Sequence, residues 1–326
     1  MLKPVEPPAP TRARTHAPAP LVSIILPTFN RLQYLPDAIA SVCAQTYQDW
    51  ELLIADDGSE ADTRAYLQAL EDPPRIKLIQ LTHTGKPAVV RNAALQEARG
   101  EYVAFMDSDD VWMPQKLSTQ IASLRAREDC GWSHTQFLLV DAREGTRREM
   151  PAADGWILGP LLKTETVVAL PSVVVSRALL GHVGNFDEAL TMCEDYDLWL
   201  RLAARSRVDA IAEPLTLVRR HGQHYGNAAV SFRDSIHVLN KVLIAGAPTE
   251  YEYFVYRERA KNSASLARCY VASGDRGAAL RVLLSSATAS WRHRGWWSEA
   301  FKAVALAFAP QQVRRFARRH ARWGIG

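Results

Sequence analysis

The chain of 326 residues is long enough for one large α/β domain and a smaller appendage. A formal net charge of +4, with no zinc-finger or RNP-like pattern, points away from nucleic acid, and no apolar run reaches the roughly 18–20 residues that cross a bilayer. Cys43, Cys130, Cys193 and Cys269 are widely spaced and form no CxxC pair, which is the usage of reduced thiols in a cytoplasmic protein rather than of a disulfide frame or zinc site.

Residues 1–20 are rich in Pro and Ala, lack the apolar core of a secretory signal, and read as a disordered leader. Val22–Leu26 is a continuous apolar run, hence a buried strand, ended by the loop Pro27, Thr28, Phe29, Asn30. Arg31–Ala44 has helical spacing through Leu32, Leu35, Ile39 and Val42. Glu51–Ala55 is a second strand, closed by the polar turn Asp56, Asp57, Gly58, Ser59, and a helix over about Asp62–Leu70 follows. Ile76–Leu81 is a third strand, Thr82–Gly85 a loop, and Pro87–Ala98 a helix. Strands alternating with helices at this spacing predict βαβ units and a mostly parallel sheet. No G-x-G-x-x-G follows a strand and no GxxxxGK[ST] is present, so a dinucleotide fingerprint and a P-loop are both missing.

The fourth strand, Tyr102–Met106, runs directly into Asp107, Ser108, Asp109 and Asp110. Carboxylates crowded at a strand's end repel one another unless something cationic sits there. In open α/β sheets the carboxyl ends of the strands are where ligands bind. The stretch by itself leaves two readings, a divalent metal site bridged to phosphates or a solvated acidic turn capping the next helix.

Further along, Trp132–Val140 reads as a strand, Asp141–Gly155 as a charged loop, and Thr166–Val175 as an apolar segment broken by Pro171 and Ser172. Cys193, Glu194 and Asp195 open an amphipathic helix to about Arg205, with Leu198 and Leu202 facing inward. Val208–Ile211 and Leu215–Val218 read as two short strands. Helical spacing then takes over through Asp234–Ile244, Tyr251–Ser273, Arg276–Ser290 and Trp296–Ala309. Three segments result: the leader 1–20, an α/β domain over 21–228, and a helical region over 229–326. In the tail, Val313–Trp323 is a basic amphipathic stretch. Residues 310–323 suit either peripheral contact with an anionic membrane or docking on the protein with a solvated basic side.

The motifs VSIILPTFNR, DDGS at Asp56–Ser59, VVRNAAL at Val89–Leu95, YVAFMDSDD, VGNFDEAL at Val183–Leu190 and CEDYDLWLRLA at Cys193–Ala203 occur in this order. Together they resemble glycosyltransferase family 2, over roughly Leu21–His221. The resemblance implies a GT-A fold, a Rossmann-like, mostly parallel sheet flanked by helices, here with a helical C-terminal appendage. It implies an inverting transfer of one sugar from a nucleoside-diphosphate sugar, UDP favoured, to a hydroxyl acceptor such as a lipid-linked glycan. By resemblance, Pro27, Thr28 and Asn30 line the nucleoside site with Asp56, and Asp57 reaches the base. Arg91 touches the nucleotide or holds the acidic turn. Asp107-Ser108-Asp109 becomes the D-x-D pattern, with Asp109 the direct ligand of Mn²⁺ or Mg²⁺ and Asp107 meeting ribose or ion. Asp195 becomes the general base, with Glu194 a neighbour able to exchange roles with it, and His221 a contact to diphosphate or metal. The setting implied is polysaccharide or glycoconjugate assembly at the inner membrane face. Two rivals remain at this level, a sugar-1-phosphate nucleotidyltransferase and a non-catalytic scaffold on the same fold. The first would want a Gly-rich basic loop after the first strand, which Pro27–Arg31 does not supply.

Overall fold

The computed structural model describes residues 22–70, 75–141, 145–220, 228–290, 297–298, 300–302 and 304–305, with backbone alone at 288–290. The leader 1–20, His221 and the tail 310–323 lie outside the described residues. The first half follows the expected alternation: β1 (Val22–Thr28), α1 (Leu35–Cys43), β2 (Trp50–Asp56), α2 (Ala61–Gln68), β3 (Ile76–Gln80), α3 (Pro87–Glu97) and β4 (Tyr102–Phe105). Then come β5 (Val111–Trp112), α4 (Lys116–Ala126), β6 (Cys130–Asp141), β7 (Thr146–Met150), α5 (Leu158–Leu162), β8 (Val173–Ser176), α6 (Arg177–Val183), α7 (Glu194–Ala203) and β9 (Arg207–Arg220). Three more helices follow, α8 (Ala228–Ile244), α9 (Thr249–Ser273) and α10 (Arg276–Ser290), and the described residues beyond 296 are helical too.

The nine strands among the described residues belong to one sheet, ordered β3-β2-β1-β4-β8-β6-β9-β5, with β7 added to β6. The β3-β2-β1-β4 half is parallel, and β8 joins β4 antiparallel. Register decides where the site can form. Thr28 lies opposite Asp56, and the Met106 amide donates to the Ile25 carbonyl at 2.9 Å. The chain therefore leaves β1, β2 and β4 at one edge of the sheet, and Pro27–Arg31, Asp57–Ser59 and Asp107–Asp110 become neighbours.

The period of two along a strand sorts β1 between two cores. Ile25 faces one core with Leu53, Val103 and Phe105, covered by α3 and α7 through Ala88, Ala94, Leu198 and Leu202. Val22, Ile24 and Leu26 face the other, covered by α1 and α4 through Leu35, Ile39, Leu117 and Ile121. The first core also takes in Val238 and Leu239 of α8 and Val255 of α9. Helices α8 and α9 thus share the core beneath the sheet, while α10 packs with α9 in smaller clusters.

Two parts of the sheet differ from the sequence reading. The charged stretch read as loop contains β7, which pairs with β6 from Thr146 to Met150. It shows no alternation because it lies at a margin where both faces are wet, four of its five residues being exposed. The two short strands expected over 208–218 are one bent strand, β9, whose pairing to β6 shifts register between Ile211 and Pro214. Proline cannot donate to a ladder and sits where the strand bulges, so the sequence looks interrupted while the strand continues.

Candidate active site

A cleft of about 560 Å³ opens at this edge, lined by Pro27–Arg31, Asp57, His83, Gly85–Pro87, Val90, Arg91 and Asp107–Asp109. The β1 and β2 loops are tied together at its rim. Asn30, in the left-handed region with φ 52°, donates its amide to Ser59 Oγ at 2.9 Å, and its Oδ1 accepts from the Glu60 amide at 2.8 Å. Asparagine tolerates this conformation better than bulkier residues. Asp56 is buried and lies beneath the rim, where its Oδ1 accepts from the Ser59 amide at 3.1 Å; it shapes the turn rather than lining the cleft.

Asp57 lies in the cleft wall, and its carboxylate gathers the loop 83–85. Oδ1 accepts from the Thr84 amide (2.8 Å) and hydroxyl (3.0 Å), Oδ2 from the Gly85 amide (2.9 Å), and His83 Nδ1 lies 3.0 Å from Oδ2. A carboxylate has about four acceptor positions, and here the protein occupies them. Gly58 makes the close approach possible: with φ +76°, a Cβ there would meet the His83 amide nitrogen at 2.9 Å. The consequence is a feature absent from the sequence reading. His83 stacks on Phe29, ring centroids 4.1 Å apart at 20°, giving an aromatic platform at the mouth of the cleft. No periodicity signals that pair, because its members lie on separate loops.

The acidic turn forms the opposite side. Asp110 is buried and its Oδ1 accepts from the Arg219 amide at 2.8 Å, so it anchors the turn to β9. Burial first, and then Asp107 and Asp109, push the Asp110 carboxyl well above the usual range. Burial also raises Asp107, against the pull of Arg91. Asp109 is buried too, with Arg31 Nε 3.9 Å from its Oδ2. Three carboxylates in this space carry a real electrostatic cost, which is the condition that favours a cation.

Arg91, on α3, organises the centre. Its guanidinium reaches Asp107 Oδ1 at 2.9 Å and Glu194 Oε1 at 2.6 Å, with the Phe186 ring 5.5 Å away. Burial opposes its charge, but the two carboxylates outweigh that and hold it protonated above its ordinary range. One planar fork thus joins the end of β4 to the start of α7, using the bidentate geometry that distinguishes arginine from lysine. Next to Glu194, Asp195 accepts, among the described residues, from its own helix, the Tyr196 amide at 2.7 Å to Oδ1. Burial, followed by repulsion from Glu194, pushes its carboxyl up to about 7. A base poised near neutrality has the proton affinity suited to general base work.

Of the expected residues, Pro27, Thr28, Asn30, Asp57, Arg91, Asp107, Ser108 and Asp109 line one cleft. Glu194 joins them through Arg91, and Asp195 through Glu194, while Asp56 supports from below and His221 lies outside the described residues. Residues the sequence reading did not single out are Arg31, His83 and the Phe29 ring. Glu188 supports Asn92, accepting from its Nδ2 at 2.8 Å.

Comparison with known proteins gives a consistent picture. The model of a family described as Glycosyl transferase family 2 matches residues 23–158. TuaG of Bacillus subtilis, assigned to teichuronic acid biosynthesis, is 36% identical over 167 residues, 50% of this chain and 65% of TuaG. The Escherichia coli UDP-Glc:alpha-D-GlcNAc-diphosphoundecaprenol beta-1,3-glucosyltransferase WfgD is 34% identical over 191 residues, 59% of this chain and 73% of WfgD. Among solved structures, S. aureus TarS in complex with UDP-GlcNAc superposes with a TM-score of 0.68 at 20% identity, over 93% of this chain and 92% of that one. The mannosyltransferase PcManGT from Pyrobaculum calidifontis, in complex with GDP-Man and Mn²⁺, gives 0.55 at 17%, over 94% and 90%. At those identities the two structures establish the fold, which is GT-A. With the family model matched and nearly three quarters of WfgD aligned, the chain belongs to glycosyltransferase family 2.

Proposed function

We propose that this enzyme moves one sugar, with inversion, from a nucleoside-diphosphate sugar to a hydroxyl acceptor, and that it needs a divalent cation to do so. The observation that carries the reading is the Arg91 fork. It ties Asp107 of the acidic turn at the end of β4 to Glu194 at the start of α7 through one buried charge. A donor lying in the cleft has its nucleoside against Pro27, Thr28 and the Phe29–His83 platform, beside the wall that Asp57 builds. Its diphosphate is directed to Asp107, Ser108 and Asp109. Asp195 takes the proton from the acceptor hydroxyl as that oxygen attacks the anomeric carbon, and Glu194 keeps its neighbour's proton affinity high.

The donor set suits a hard cation of the Mn²⁺ or Mg²⁺ type. No group of three His, Cys, Asp or Glu ligands gathers among the described residues. Two crowded carboxylates beside an open cleft match the habit of such ions, which take one or two carboxylates and complete their shell with substrate phosphate and water. Asp109 and Asp107 would hold the ion, which when bound offsets the charge of the diphosphate leaving group. The UDP-sugar named for TarS and WfgD favours UDP, and the diphosphoundecaprenol in the WfgD name favours a lipid-linked acceptor. No described helix is long and apolar enough to cross a membrane. Access to such an acceptor is assigned to the basic stretch 310–323 at the inner membrane face, in polysaccharide assembly of the kind named for TuaG.

The test is a panel of UDP-, GDP- and dTDP-sugars, each read by thermal shift with Mn²⁺ or with EDTA. A donor at about 100 times its Kd stabilises the fold by about 2.7 kcal/mol, and that gain should vanish with EDTA. Turnover should release nucleoside diphosphate. Release of pyrophosphate, or no shift from any donor with metal present, would overturn the reading.

A further inference from the structure

The base-bearing residues of α7 are reached through an unusual entry. Cys193, immediately before Glu194 and Asp195, is in the left-handed region with φ 62° and ψ 17°, and its side chain makes no cap to the helix. Only glycine, and to a lesser degree Asn and Asp, adopts that conformation readily. Something outside the turn must therefore select it. The amides of Thr191 and Met192, the two residues before the turn, both donate to one oxygen, Asp234 Oδ2, at 2.8 and 2.9 Å. Asp234 belongs to α8 and is 3% exposed. Its other oxygen meets Arg233 Nε at 3.0 Å.

The hold is repeated two turns along the same face of α8. Lys241 Nζ bridges Asp187 Oδ2 at 2.8 Å and Asp197 Oδ1 at 2.6 Å, so it grips both the lead-in segment and the first turn of α7. Between the two contacts, Val238 is fully buried in the core that includes Leu198 and Trp199 of α7. Positions 234, 238 and 241 share a helix face by their spacing. Among the described residues Asp195 itself has no such tie, its carboxylate accepting from the adjacent Tyr196 amide. Its place relative to Arg91 and the cleft is inherited from the backbone of residues 191–193.

We propose that Asp234 is a positioning residue for the transfer: through the Thr191 and Met192 amides it holds the left-handed turn that aims Asp195 into the site. A helix outside the α/β alternation would then control turnover without touching substrate. The inference rests on Asp195 being the base. Reactive geometry is sensitive at this scale, where a displacement of about 1 Å costs on the order of 100-fold.

The experiment uses the full chain as wild type, Asp234→Ala, Asp234→Asn and Asp195→Asn. Hydrogen exchange is followed at residues 189–197, and nucleoside-diphosphate release is followed with the donor identified by thermal shift. In Asp234→Ala the Thr191 and Met192 amides should exchange at least about 10-fold faster, with β1 amides unchanged. Its kcat should fall about 10- to 100-fold while donor affinity stays within about 2-fold. Asp234→Asn keeps an oxygen that accepts from both amides and should restore both readouts towards wild type. Unchanged exchange in Asp234→Ala, or faster exchange with kcat within about 2-fold of wild type, overturns the proposal. Equal losses of kcat and donor affinity also overturn it, because they mark general loosening. Wild-type turnover by Asp195→Asn would instead remove the base assignment, a failure separable from that of Asp234.

Discussion

Replacing Asp195 by Asn should make the protein more stable and nearly inactive at once. Aspartate has an ordinary value of 3.8, and burial with the Glu194 charge pushes Asp195 up to about 7. The native state therefore binds a proton between those values that the unfolded chain has released. Stability falls as pH rises through that window, and the penalty is complete above about 7. At 1.36 kcal/mol per pKa unit the ceiling is about 4 kcal/mol. Partial exposure of Asp195 brings solvent screening that reduces it to roughly 1–3 kcal/mol. Asn carries no charge to bury, so at pH 8 the variant should melt roughly 2–6 °C higher than wild type, and at pH 4 the two should nearly coincide. Turnover should drop about 100- to 10,000-fold, the usual contribution of a positioned base, with donor binding preserved. Wild-type turnover should itself rise with pH up to about 7 and then level off. Thermal melts across pH, together with donor titration and nucleoside-diphosphate release, measure all of this. A variant that melts lower than wild type at pH 8 and loses donor affinity in step with turnover would refute the reasoning, since it would make Asp195 a structural cap.

Arg91→Ala leaves the buried Glu194 carboxylate and the half-buried Asp107 without their shared cation, so urea unfolding should show a loss of about 3–5 kcal/mol; a loss under about 1 kcal/mol would mean water replaces the fork. Arg91→Lys should recover only part of this, because one ammonium lacks the planar fork that meets Asp107 and Glu194 together. Phe29→Ala removes one ring of the platform with His83 and should weaken donor nucleotide binding by about 1–3 kcal/mol in calorimetric titration, the scale of base–aromatic stacking. An unchanged Kd would place the base elsewhere in the cleft.

Local pattern was enough for much of the architecture. The apolar runs Val22–Leu26 and Tyr102–Met106, each ending in a polar turn, mark buried parallel strands, and the helical spacing between them marks the crossovers. The acidic turn was legible for the same reason, being chemical groups concentrated at an element's end, whereas the Arg91–Asn92 and Glu194–Asp195 pairs were marked by their resemblance to motifs of glycosyltransferase family 2. Their relations were not legible. Arg91 and Glu194 are 103 residues apart, and no periodicity says that one guanidinium will serve two distant carboxylates. Nor does it say that Asp57 spends its oxygens on the loop 83–85, that Phe29 and His83 stack, or that β7 forms from an exposed, largely charged edge. Asp234 reads only as one more polar residue on an amphipathic helix, until packing sets α8 against the entry to α7. Patterning reports which face of an element avoids water. Which elements then meet, and which charge finds which partner, depends on long-range packing and on the need to satisfy every buried polar group.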